Sequence, residues 1–182
     1  IEYIEIGEFD LAQGTVHGKV IAAANAPSRA QIAARAGDLA VSLVRPNRKN
    51  IVFIQGSGRR PIVVTSGCDV LRFSDPDTAA LYSVVLRHNA VTHQIMRWNT
   101  GTSYPAVEKL PTDRVVVPAI PDDRKHEFLN AARLAVTGVE RAKELTAQAV
   151  ADVESLIDGK LDEDKCLADG RALAAEFGLE VP

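Results

Sequence analysis

Apolar and polar positions along this chain follow two regimes, which change near Pro121. Before it, short runs repeat at the two-residue period of strands. Residues 1–6 alternate, residues 7–18 read as a loop with a short turn, and residues 19–24 form a second run before Asn25, Ala26 and Pro27 stop regular structure. Ser28, Arg29 and Gln31 then fall on a loop, where their polar groups can face a ligand. A β-branched run at 39–44, a polar turn at 45–50 holding Pro46, and a returning run at 51–55 predict a hairpin with Arg45, Arg48 and Lys49 at its tip. The loop 56–61, GSGRRP, is basic and flexible; its two glycines precede no helix pattern, so it is not a phosphate-binding fingerprint. Residues 62–65 and 69–73 supply further strands. Asp75 and Pro76 then cap a helix over 77–97 that buries Leu81, Val84, Val85, Ala90 and Ile95. Residues 115–117 read as a buried strand ended by Pro118 and Pro121.

Beyond Pro121 the period becomes helical. Asp122 and Asp123 place negative charge at the favourable end of a long helix. Its apolar or small positions, Phe128, Ala132, Ala135, Val139, Ala142, Thr146, Ala149, Val153 and Leu156, recur in steps of three and four. That spacing is a coiled-coil seam, and its alanines imply close approach of a partner helix. The chain offers no second helix of similar length, so a partner chain is expected, with an antiparallel second copy as the natural choice. Gly159 closes the helix, and residues 161–182 are acidic and helical in part. The expected division is a domain at 1–121, a helix at 122–158 and a tail at 159–182.

At 182 residues and 46% hydrophobic content the chain can bury a core without staples. Cys68 and Cys166 lie far apart and outside any CxxC or Cys/His spacing, which indicates neither a disulfide framework nor a zinc site and suits a reducing cytoplasm. No apolar run has the length of a membrane span and no signal segment is visible. The chain opens on Ile1 inside a strand pattern, as a piece of something longer would. A net charge of -3 argues against a nucleic-acid binder only until it is divided. Residues 1–118 carry 13 Lys and Arg against 10 Asp and Glu, a balance of +3, and the remainder carries 8 against 14. Within residues 29–60, Arg29, Arg35, Arg45, Arg48, Lys49, Arg59 and Arg60 face a single acid, Asp38. This is the footprint a phosphate backbone needs, although solvated basic faces have the same composition.

The loop at 98–110, WNTGTSYPAVEKL, concentrates hydroxyls, an amide and a phenol around a glycine, groups that match base edges or phosphates. An ordinary surface turn shares that composition. Catalytic chemistry is not found: there is no S-adenosylmethionine loop, no Asn-Pro-Pro-aromatic motif, no Walker sequence and no carboxylate-Lys set for metal-dependent cleavage. His88 and His93 are five apart, which does not put two metal ligands on one helix face.

In order, the residues GDLAVSLVRPNRKNIVFIQ (37–55), TSGCDVLRF (65–73), the helix ending in GTSYPAV (101–107), and VVVPAIP (115–121) leading into a long helix resemble the target recognition domain and spacer helix of type I restriction-modification specificity subunits. The resemblance covers roughly residues 1–157. It implies an α+β fold with a twisted mixed sheet, and a non-catalytic subunit, without cofactor or metal, that reads half of a double-stranded DNA site for partner methylase and restriction subunits. Phosphate contacts then fall to Arg45, Arg48, Lys49, Arg59 and Arg60, and base readout to Arg29, Gln31, Asn99, Thr102, Ser103 and Tyr104. Full specificity subunits hold two recognition domains and two spacer helices, whereas one of each is here. Two further readings fit the same residues: the recognition region of a fused restriction-methylation enzyme, and a helix-mediated scaffold without DNA binding.

Overall fold

A computed structural model describes residues 1–56 and 58–176, without the side chains of Asp122, Val139 and Glu140. The Val139 seam position and the last six residues of the acidic tail therefore lie outside the described residues. Two compact units divide the chain at Gly138.

The first unit holds the strands β1 (Glu2–Ile4), β2 (Thr15–His17), β3 (Lys19–Val20), β4 (Ala30–Ala34), β5 (Leu39–Ser42), β6 (Ile51–Gln55), β7 (Ile62–Thr65) and β8 (Cys68–Leu71). The mixed sheet expected from the sequence is present as two four-stranded sheets among the described residues, ordered β3-β1-β7-β4 and β2-β6-β5-β8. Each has one parallel pair, β1 with β7 and β2 with β6, and is otherwise antiparallel.

The β5–β6 hairpin explains why its runs are almost continuously apolar. Side chains alternate across a strand, so one set faces each side of the sheet. Ala40, Val52 and Ile54 pack toward the other sheet with Ile4, Val16, Ile62, Val64 and Cys68. Leu39, Val41 and Ile51 pack the opposite way, against helical residues Ala79, Leu86, Val91 and Ile95. The second sheet is thus a middle layer buried on both faces, and polar alternation has no place in it.

The predicted single helix over 77–97 is two helices, α1 (Pro76–Leu86) and α2 (Asn89–Met96). Asp75 caps the first as expected, its carboxylate accepting from the Thr78 amide at 2.7 Å and hydroxyl at 2.8 Å, and these bonds hold its pKa below the usual carboxylate range. The break comes at His88, which leaves the helical region at ψ 143° and accepts the Ala90 amide on Nδ1, starting α2 afresh. The buried strand expected at 115–117 is absent. That segment is irregular, and the Gln94 side chain mimics a ladder partner, accepting the Val116 amide at 2.7 Å and donating to its carbonyl at 2.9 Å. The loop reading of residues 7–18 likewise missed β2, and Gln31 stands on β4 rather than on a loop.

The long helix is α3 (Asp122–Ile157). Its first part packs on its own domain: Ala132 and Val136 are 5% and 4% exposed against Ala80 and Leu81 of α1, with Phe128 and Leu129 beside them. Ala135 faces solvent. In the second unit, Gly159 closes α3 in the left-handed conformation its φ of 67° marks, with its amide and that of Lys160 reaching the Leu156 and Ser155 carbonyls. Asp162 then accepts the Lys165 amide and opens α4 (Glu163–Glu176).

Candidate nucleic-acid interface

The tip of the β5–β6 hairpin is shaped by two residues that are not glycine yet have positive φ, Arg45 at 52° and Lys49 at 56°. Each conformation costs about 1 kcal/mol for a residue with a Cβ, so the surroundings must impose it. Pro46 is buried between them and starts a 3₁₀ turn through Arg48, closed by the Lys49 amide on the Pro46 carbonyl at 3.0 Å. Just before it, the Ser42 hydroxyl donates to the Val44 carbonyl at 2.7 Å, bending the chain out of the strand.

A second segment is clasped to this tip. Val44 and Ala106 form an antiparallel bridge, the Arg45 amide donates to the Pro105 carbonyl at 2.7 Å, and the Val107 amide donates to Leu43 at 3.0 Å. The loop between Asn99 and Ala106 is pulled shut by Asn99, whose Oδ1 accepts the Ala106 amide at 2.8 Å and the Gly101 amide at 3.3 Å. Its Nδ2 donates to the Gly101 carbonyl, and the Thr100 amide reaches Ala106 at 2.8 Å. Gly101 is required by close approach: a Cβ there would stand 1.9 Å from the Tyr104 carbonyl oxygen. Thr102, Ser103 and Tyr104 are consequently pushed outward, Tyr104 to 62% exposure. The Arg45 guanidinium lies 4.4 Å above the Tyr104 ring centroid.

Two clusters about 50 residues apart in sequence thus share one surface. Arg45, Arg48 and Lys49 stand beside Asn99, Thr102, Ser103 and Tyr104, and among the described residues those three cations have no acidic partner. Arg29 belongs to the same end of the domain, since the Ser66 amide donates to its carbonyl and the next residue, Gly67, accepts from Leu43. Its side chain is occupied, paired with Glu5 and donating to the Tyr3 hydroxyl at 3.3 Å; Glu5 first and Tyr3 second raise its already high pKa. Gln31 is turned back on the Ser28 carbonyl at 2.9 Å. Arg59 and Arg60 are not gathered there. They follow the far end of β6, a strand spanning roughly 15 Å, and lie beside Ala34 and Arg35.

Sequence reasoning missed one pair altogether. Arg114 stacks over the exposed Trp98 ring at 4.6 Å, directly before the Asn99 clasp, and no spacing rule brings residues 98 and 114 together. No group of His, Cys, Asp and Glu suited to a metal ion is present among the described residues, and none of their helices is long and apolar enough to cross a membrane.

The fold, α+β with mixed sheets and a long helix, resembles that of solved type I specificity subunits, and the resemblance read from the motifs is borne out. In particular, the chain is similar to the HsdS subunit from Thermoanaerobacter tengcongensis, with 27% identity and a TM-score of 0.59 over 85% of this chain and 40% of that one. It is also similar to a chain from a structure addressing complex assembly and conformational transition of the type I R-M system, with 26% identity and a TM-score of 0.58 over 89% and 42%. The chain therefore spans about two fifths of the length of these solved chains. No family model and no curated protein matches the sequence.

Proposed function

We propose that this chain is a DNA target recognition module of a type I restriction-modification system, which reads one part of a duplex site and leaves methylation and cleavage to partner subunits. The similarity to specificity subunits supports a role of that class. The observation that carries the finer reading is the clasp of the hairpin tip to the loop at 99–106, which presents cations without an acidic partner among the described residues, together with exposed hydroxyl and phenol groups, on one surface. Arg48 and Lys49 suit phosphates, whose recognition needs charge at a fixed position. Thr102, Ser103 and Tyr104 suit base edges, while Asn99 has its oxygen committed to shaping the loop. Arg59 and Arg60, at the far end of β6, serve a separate stretch of backbone if they serve the same duplex.

Fluorescence anisotropy with a labelled duplex across a salt series tests this. Arg48→Ala with Lys49→Ala should lower the slope of log affinity against log salt by about one to two units, because the missing charges no longer release counterions. An unchanged slope would put the DNA elsewhere.

The rear of α3 supports a partner-binding role. Val150, Val153, Leu156 and Ile157 are all more than half exposed, an apolar stripe that the described residues leave open. A second copy of this chain, or the methylase subunit, covers it in this reading. Equilibrium sedimentation of the unmodified chain at tens of micromolar separates the two: a dimer supports the second copy, and a monomer assigns the stripe to another polypeptide.

A further inference from the structure

We infer that Arg45 reads a guanine edge, with Tyr104 as the platform that holds its guanidinium, so that the recognised duplex contains a G·C pair at the position facing the hairpin tip. This rests on the proposed DNA-binding role of the surface and adds which base one part of it selects.

Arginine discriminates guanine by offering two N–H donors in a plane to O6 and N7, and that geometry must be held in place to be selective. Arg45 is held at both ends. Its backbone is fixed in the left-handed region and its amide is bonded to the Pro105 carbonyl. Its guanidinium is stacked on the ring of the residue next to that proline, 4.4 Å from the centroid. A guanidinium centred over a ring is held there by cation–π attraction, and its N–H donors remain available to a base edge.

Three other arginines of the domain are arranged differently. Arg29 is bonded to Glu5 and Tyr3, and Arg72 gives two bonds to the buried Asp38 at 2.7 and 2.9 Å. Arg114 is stacked on Trp98, but Asp113 stands 3.5 Å from its Nε. Arg45 combines a stacked face with an edge that has no partner among the described residues. A phosphate can be met by charge alone, which Arg48 and Lys49 already bring to the tip, and although a fork can also grip a phosphate, one held in place at the tip suits the paired acceptors of a guanine edge.

The test is selection from a duplex library with a randomised central segment, using the full chain and its Arg45→Lys, Tyr104→Phe and Tyr104→Ala variants, each checked for native circular dichroism. The full chain should enrich a motif with an invariant G·C pair. In that selected duplex, replacing the guanine with 7-deazaguanine, which lacks N7, should weaken binding by the full chain at least tenfold. Arg45→Lys keeps the charge and loses the fork, so its preference for guanine over the other bases at that pair should collapse to less than threefold. Tyr104→Ala should lose the same preference and Tyr104→Phe should keep it. Enrichment of the same G·C pair by Arg45→Lys, or a 7-deazaguanine effect that persists in that variant, would overturn the inference while leaving the DNA-binding role standing. Failure of the full chain to retain any duplex would overturn both.

Discussion

The two ends of α3 carry the same kind of apolar stripe and meet different fates. Toward its start, Ala132 and Val136 are almost fully buried against Ala80 and Leu81. Toward its end, Val153 and Leu156 are each 55% exposed. Helical spacing of apolar residues announces that a face will be covered, yet says nothing of what covers it. The seam read from the sequence is therefore two surfaces: Phe128 and Ala132 secure the start of the helix to the first unit, while Ala142, Ala149, Val153 and Leu156 remain exposed. The difference lies in burial: the stripe is covered in the first unit and exposed in the second.

The largest test of that division is charge placed in each stripe. Val136→Asp would bury an unpaired carboxylate beneath α1 and should destabilise the first unit by about 3 kcal/mol or more. Val153→Asp should change unfolding by no more than about 0.5 kcal/mol. Urea unfolding of both variants checks this, and equal effects would erase the distinction. The same Val153→Asp variant, joined by Ala142→Glu, should instead shift sedimentation from dimer to monomer if a second copy covers the rear stripe.

A second test lies within the loop. Gly101→Ala forces a Cβ onto the Tyr104 carbonyl, which the Asn99 clasp holds in place. The loop must reopen, and discrimination between base pairs should fall by about 1–3 kcal/mol, read as the affinity ratio between a selected duplex and bulk DNA. A variant with full discrimination would show that the clasp is not needed to present Thr102, Ser103 and Tyr104.

The cysteines, one in each unit, provide a third test with a smaller effect. Cys68 is buried in the layer between the sheets, and burial, with a lesser contribution from Asp69, pushes its thiol up to about 12. Cys166 is partly exposed. Iodoacetamide at pH 8 should therefore modify Cys166 readily and Cys68 only on unfolding. Because the folded pKa of Cys68 is raised, the stability gained by keeping it neutral is complete below the unfolded value of about 9 and is lost as pH climbs toward 12. Cys68→Ala should flatten alkaline unfolding in that window.

Much of the fold was legible because its signals are local. The dense runs of β5 and β6 record a sheet buried on both faces, and Asp75 with Pro76 marks a helix start whatever surrounds it. Residues 115–117 misled because three valines look like a strand, whereas the groups that satisfy Val116 belong to the Gln94 side chain. The break at His88 depends on one side chain turning to cap Ala90, which composition does not reveal. Of the candidate site, the tip and the loop were each visible as a cluster. Their meeting was not, since Arg45 and Tyr104 touch only through tertiary packing, and the separation of Arg59 and Arg60 from them follows from strand direction alone.

Hydrogen exchange of the full chain, with and without a duplex selected from a random library, tests most directly whether the hairpin tip and its clasped loop form the DNA surface. Duplex should slow exchange in peptides covering Arg45–Lys49 and Asn99–Ala106, and leave those covering Arg59–Arg60 less affected and those covering Val150–Ile157 unchanged. Protection confined to the Arg59–Arg60 end, with none at the tip and loop, would contradict the account.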